Sequence, residues 1–131
     1  MKDCYLFVYG TLMHGSGHLV QQQLHDSSEL IGSGWISGQL YQIHDYPGVI
    51  ESVSVNDKVY GELYRLKDQT LLPLLDDYEA CGSTFPEPHE YLRKTVNVTV
   101  SGGRKVQAWA YIYNYPVNPA KRILSGRFEQ C

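Results

Sequence analysis

The sequence predicts an α+β fold in one domain, residues 1–131: mostly antiparallel strands, a few helices, and a twisted or barrel-like sheet. Three observations predict it. Short apolar runs rich in aromatic and β-branched residues recur with turn signals between them. The extended stretch 30–43 is interrupted by Gly32, Gly34 and Gly38, a pattern of bulges or sharp bends in a small barrel. Residues 70–79, by contrast, repeat their apolar positions at helical spacing. A length of 131 residues suits one hydrophobic core.

Taken in order, residues 5–9 read as a buried first strand, followed by the loop Gly10-Thr11-Leu12-Met13-His14-Gly15-Ser16-Gly17. Residues 18–25 can form a short helix, with Leu19, Val20 and Leu24 on one side. The glycine-broken strand at 30–43 ends in a turn by composition, Asp45-Tyr46-Pro47-Gly48, and Asn56-Asp57 fits a hairpin tip. In the strand at 59–66, Val59, Gly61 and Leu63 share one face, and Tyr60, Glu62 and Tyr64 share the other. Thr70 suits an N-cap, with Pro73 in the first helical turn, where its missing N–H costs nothing. Leu71, Leu74, Leu75 and Tyr78 then face the core. After an irregular stretch at 81–89, a strand at 91–100 alternates Leu92, Val96, Val98 and Val100 with Arg93, Thr95, Asn97 and Thr99. Ser101-Gly102-Gly103 is a tight turn, so residues 104–115 pair back with Trp109, Tyr111, Tyr113 and Tyr115 on one face. A short helical turn is expected after Asn118.

Composition narrows the function. The chain is 43% hydrophobic and 19% charged, which fits neither disorder nor a membrane span. A formal net charge of −3 argues against nucleic acid or an anionic membrane as partner. Cys4, Cys81 and Cys131 have neither metal-ligand nor disulfide-framework spacing, so reduced thiols and a cytoplasmic location are expected. The first apolar run is too short for a signal peptide. Eleven tyrosines are unusual and suit a core or pocket that must place hydrogen bonds.

Several constellations were weighed for chemistry. Gly10 to Gly15 has the Gly-x-x-x-x-Gly spacing of a P-loop and follows a strand, but Ser16-Gly17 stands where Lys-Ser or Lys-Thr is needed. His14, His18 and His25 are helically spaced, yet the glutamate of a His-Glu-x-x-His zinc site is missing. No Gly-x-Ser-x-Gly elbow is present. Backbone N–H groups at the glycine loop can hold an anion or an oxyanion. Glu79 falls at the margin of the helix's buried stripe, near its C-terminus, at about 100° per residue. Desolvation and the negative end of the helix dipole there would raise its pKa towards the range of a general acid/base. Spacing equally allows an ordinary helix-end glutamate that bends to water.

Motifs in order along the chain resemble those of the γ-glutamylcyclotransferase-like superfamily, which includes the γ-glutamylamine cyclotransferases and AIG2-like proteins. Val8-Tyr9-Gly10-Thr11-Leu12 is similar to its Tyr-Gly-Ser/Thr-Leu loop. Val59-Tyr60-Gly61-Glu62-Leu63-Tyr64 is similar to its Val-x-Gly-Glu-Leu/Val-Tyr strand. Leu75-Asp76-Asp77-Tyr78-Glu79 resembles its Leu-Asp-x-x-Glu helix end, with Ala80 where the family usually has glycine. Tyr91-Leu92-Arg93-Lys94-Thr95-Val96 resembles its Tyr-x-Arg-x-x-Val strand. Residues 108–113 and 124–128 resemble its closing strand and tail.

The resemblance implies a small mixed, mostly antiparallel β-barrel with a few flanking helices, and a pocket between the glycine loop and the glutamate. It implies release of 5-oxoproline from a small γ-glutamyl amine or γ-glutamyl amino acid, with no cofactor and no metal. Glu79 is the implied catalytic residue. Tyr9, Gly10, Thr11, Leu12, Tyr91 and Tyr113 are the expected substrate-binding residues. Two alternatives stay open: a non-catalytic module binding a small metabolite in the same pocket, and a related acyl-transfer or amide-cleaving enzyme. Oligomeric state is not indicated.

Overall fold

The computed structural model describes residues 4–9, 28–43, 47–54, 56–67 and 91–127. These form six strands: β1 (Cys4–Val8), β2 (Ser28–Gln42), β3 (Pro47–Glu51), β4 (Lys58–Leu66), β5 (Tyr91–Val100) and β6 (Lys105–Tyr113). Their order is β3-β2-β4-β1-β6-β5, and β5 returns to β2 through Gly34↔Val100 and Trp35↔Thr99. Five strands therefore close into a barrel, with β3 attached to β2 outside the ring. The β1–β6 pair is parallel, at Leu6↔Trp109, and the other pairings are antiparallel.

The length of β2 is what allows this arrangement. One edge carries β4 from Ser28 to Ser37, while the other edge is divided between β5 at Gly34–Trp35 and β3 from Gly38 to Gln42. The register slips between Leu30 and Gly32, leaving an extra residue that bends the strand. Gly32 there has φ +152°. At the closure, a Cβ on Gly34 would stand 2.7 Å from Val98 Cγ1 and 3.0 Å from the Thr99 carbonyl, so β2 and β5 approach as only glycine permits.

The barrel is filled by inward residues from every strand. Phe7, Ile36, Leu40, Val49, Val59, Leu63 and Val98 are almost fully buried, with Ala108, Ala110 and Ile112 of β6 beside them. Fully burying one of the larger side chains is worth about 1.5–3 kcal/mol. Alternation along β4 buries Val59, Gly61 and Leu63 as expected, but Tyr64 on the opposite face is also wholly buried. Period two reports the core side of a strand and is silent on what covers its other side.

The hairpin of β5 and β6 turns at Ser101-Gly102-Gly103, where Gly102 and Gly103 have φ +87° and +83°. Beyond β6 the chain crosses the outside of the barrel as a strap. Asn118 accepts from the Ala120 N–H and caps a 3-10 turn, Pro119–Lys121. The Ile123 N–H then donates to the Leu40 carbonyl and the Tyr60 N–H donates to the Gly126 carbonyl. The strap thus supplies a partner to β2 at Leu40, past the end of the β2–β4 ladder, and to β4 at Tyr60, past the end of the β1–β4 ladder. Asp57 pins it, accepting from Gln39 Nε2 (2.9 Å), Ser52 Oγ (2.8 Å) and Arg122 Nη2 (2.8 Å). Those hydrogen bonds hold the Asp57 carboxyl at about 2, below its ordinary 3.8.

Three expectations change. Pro47-Gly48 opens strand β3 instead of making a turn; Asp45 and Tyr46 lie outside the described residues. The last strand ends at Tyr113, so Tyr115 lies beyond it. The few flanking helices are not borne out: the described residues hold only the 3-10 turn. The helices expected at 18–25 and 70–79 fall outside the described residues.

Candidate functional site

The site expected from sequence lies where β1 ends. Val8 is the last ladder residue of β1, opposite Glu62, and its carbonyl lies directly over Gly61. A Cβ on Gly61 would meet that oxygen at 2.1 Å and Phe7 Cζ at 2.9 Å, so glycine is needed for β1 to leave along this course. Tyr9 consequently turns into the core, 6% exposed, with its ring 6.5 Å from that of Phe7. The parallel β1–β6 pair sets Tyr9 beside the end of β6, and the Tyr9 hydroxyl donates to the Tyr111 carbonyl.

The β5–β6 register places Tyr91 directly opposite Tyr113. Their rings meet edge to face at 5.4 Å, and Tyr113 meets Tyr115 in the same manner at 5.9 Å. Tyr91 is buried, and its hydroxyl donates to the Pro47 carbonyl at 2.5 Å. The Tyr113 ring lies against Gly48, where a Cβ would stand 2.8 Å from ring Cγ. The first residues of β3 are thereby fixed over the ends of β5 and β6.

This arrangement has a chemical consequence. A tyrosine hydroxyl has one proton to donate. At Tyr9 and Tyr91 that proton goes to a main-chain carbonyl, which fixes the direction of each ring. Tyr113 is half-buried and offers ring surface.

Of the expected site residues, the structure describes Tyr9, Tyr91 and Tyr113. It brings Tyr91 and Tyr113 into contact and ties Tyr9 to the main chain two residues before Tyr113. Glu79, Gly10, Thr11 and Leu12 lie outside the described residues. Sequence reasoning did not find Pro47, Gly48 or the Tyr111 carbonyl. Two of these act through main-chain oxygens, which carry no residue signature, and Gly48 was legible only as a turn residue. Among the described residues no group of three or more His, Cys, Asp or Glu could hold a metal ion. His14, His18 and His25 lie outside them. No helix among the described residues is long and apolar enough to cross a membrane.

Comparison with known proteins places the chain in a family. Residues 6–130 match the family described as gamma-glutamyl cyclotransferase, AIG2-like. The chain belongs to that family. It is 33% identical over 122 residues to the gamma-glutamylcyclotransferase family protein YtfP of Escherichia coli K12, covering 92% of each chain. It is 26% identical over 115 residues to gamma-glutamylaminecyclotransferase A of Danio rerio, covering 83% of this chain and 67% of that one. The crystal structure of an AIG2-like protein from Mus musculus superposes with a TM-score of 0.70 at 27% identity, covering 92% of this chain and 83% of that one.

Proposed function

We propose that this protein is a γ-glutamylcyclotransferase: it releases 5-oxoproline from a γ-glutamyl amine or γ-glutamyl amino acid. The observation that carries the reading is the family match. It spans both the Tyr9–Leu12 motif and Glu79.

The substrate's α-amine attacks its own γ-carbonyl carbon. A C–N bond forms, closing the five-membered ring, and the C–N bond to the leaving amine breaks. The nucleophile is already tethered, so the protein's task is to fold the substrate into a near-attack shape. Glu79 takes a proton from the α-ammonium and returns one to the departing nitrogen. The Gly10, Thr11 and Leu12 amides hold the substrate carboxylate or the developing oxyanion. Tyr9, Tyr91 and Tyr113, gathered at the ends of β1, β5 and β6, orient the bound substrate. Carbon and nitrogen keep their oxidation states throughout, so the reaction asks for no redox cofactor. Residues 1–131 act as one catalytic domain, cytoplasmic, on a small-molecule substrate.

Purified protein incubated with a panel of γ-glutamyl compounds is expected to release 5-oxoproline, read by mass spectrometry. Glu79→Gln is expected to keep the circular dichroism spectrum and lose turnover by 10²-fold or more, about the scale of a missing general acid/base. Unchanged turnover in Glu79→Gln sinks the mechanism. Ligand binding without turnover in both proteins would favour the metabolite-binding module. A product other than 5-oxoproline would favour acyl transfer or amide cleavage.

A further inference from the structure

The strap and the outer face of β2 and β4 line a half-open pocket of about 110 Å³. We propose that it is a binding site for a small oxyanion, of the size of inorganic phosphate or a carboxylate group, separate from the γ-glutamyl site.

The charge of the lining comes first. Two lining residues are cationic, Lys58 and Arg122, and none is acidic. Asp57 pairs with Arg122 at 2.8 Å, which leaves the lysine uncompensated among these three groups. Lys58 is held in place, its ammonium 4.6 Å from the centre of the Trp35 ring. A further cation stands behind the wall: Arg127 stacks at 4.0 Å on Tyr60, which lines the pocket. The lining also offers a neutral donor, the Asn56 amide.

The state of Arg122 comes second. Its guanidinium has five N–H donors, and its side-chain partner in the structure is Asp57 through Nη2. Nε is buried and has no hydrogen-bond partner. A guanidinium with one carboxylate partner keeps Nη donors for a second oxyanion, and the buried Nε reports on its arrival. The volume fits one such group. By linkage, an anion held here would stabilise the strap, since Arg122, Ile123 and Ser125 belong to it.

The test reads the guanidinium directly. In a ¹H–¹⁵N spectrum of arginine side chains, the Arg122 Nε–H signal is assigned by its loss in Arg122→Lys. Titration with inorganic phosphate, and separately with succinate, at constant ionic strength is expected to move that signal along a saturable curve. The tighter of the two identifies the oxyanion class. Lys58→Gln is expected to weaken binding about tenfold, the effect of one charge-assisted contact. Asn56→Ala provides a second variant if Lys58→Gln does not fold. A linear response to both anions, or a matching response to sodium chloride, would overturn the proposal and leave a water molecule as the partner of Nε. Undiminished binding in the variants would overturn it as well.

Discussion

Asp57 shows how one side chain couples the strap to pH. Three donors converge on it from β2, from the β3–β4 connection and from the strap, and its pKa falls to about 2 from 3.8. The folded state therefore binds this proton more weakly than the unfolded chain does. The stabilisation is fully present above about pH 4 and is lost as pH falls through about 2. Asp57→Asn should accordingly lower the melting temperature at pH 5–7, with the gap from the parent closing as pH approaches 2. Thermal melts of both proteins across that range measure it. At this scale the sequence was partly legible. Tyr91 and Tyr113 were expected to act together, and a turn centred on Gly102 is enough to set them opposite each other. The acceptors of the Tyr9 and Tyr91 hydroxyls were not legible, because they depend on where distant strands pass. Asp57 was legible only as a hairpin residue, since its partners come together only when β2, β3 and the strap are packed.

The strands differ in how plainly their residues announce them. β4 and β5 show alternation, and β5 and β6 flank a glycine turn, so local chemistry alone locates them. β3 was missed because Pro47-Gly48 has the composition of a turn. Its pairing with β2 satisfies main-chain groups that no short-range pattern encodes. The proline stands at the first position of a strand on the sheet edge, where the lack of an N–H is tolerated. Gly61 is the element-scale counterpart of Tyr9: it is the point on β4 over which β1 leaves the ladder. Gly61→Ala is expected to destabilise the fold by about 1–3 kcal/mol, because the clashing atom is a main-chain oxygen that cannot rotate away. Urea unfolding of the two proteins measures this. If Gly61 also sets the course of the chain into Gly10, the same variant loses 5-oxoproline release at temperatures where it remains folded.

For the molecule as a whole, the glycines of the long second strand foretold a closed sheet, and closure does run through one of them. Gly34→Val should hinder the β2–β5 contact and lower stability by roughly 1–3 kcal/mol. Amide exchange at Gly34, Trp35 and Val100 should quicken first, as a hydrogen-exchange time course would show. The order of strands around the barrel was not legible, since it follows from packing across the whole chain. The position of β1 has a consequence in time. The first strand of the chain lies between β4 and β6, and Leu6 faces Trp109, more than a hundred residues later. On a ribosome, one edge of that apolar strand waits until more than a hundred further residues have emerged. So distant a pairing makes completion of the barrel slow. Until then the segment leading to Tyr9 has neither its second neighbour nor its hydroxyl's acceptor. The arrangement around Tyr9 is therefore complete only once β6 has been made.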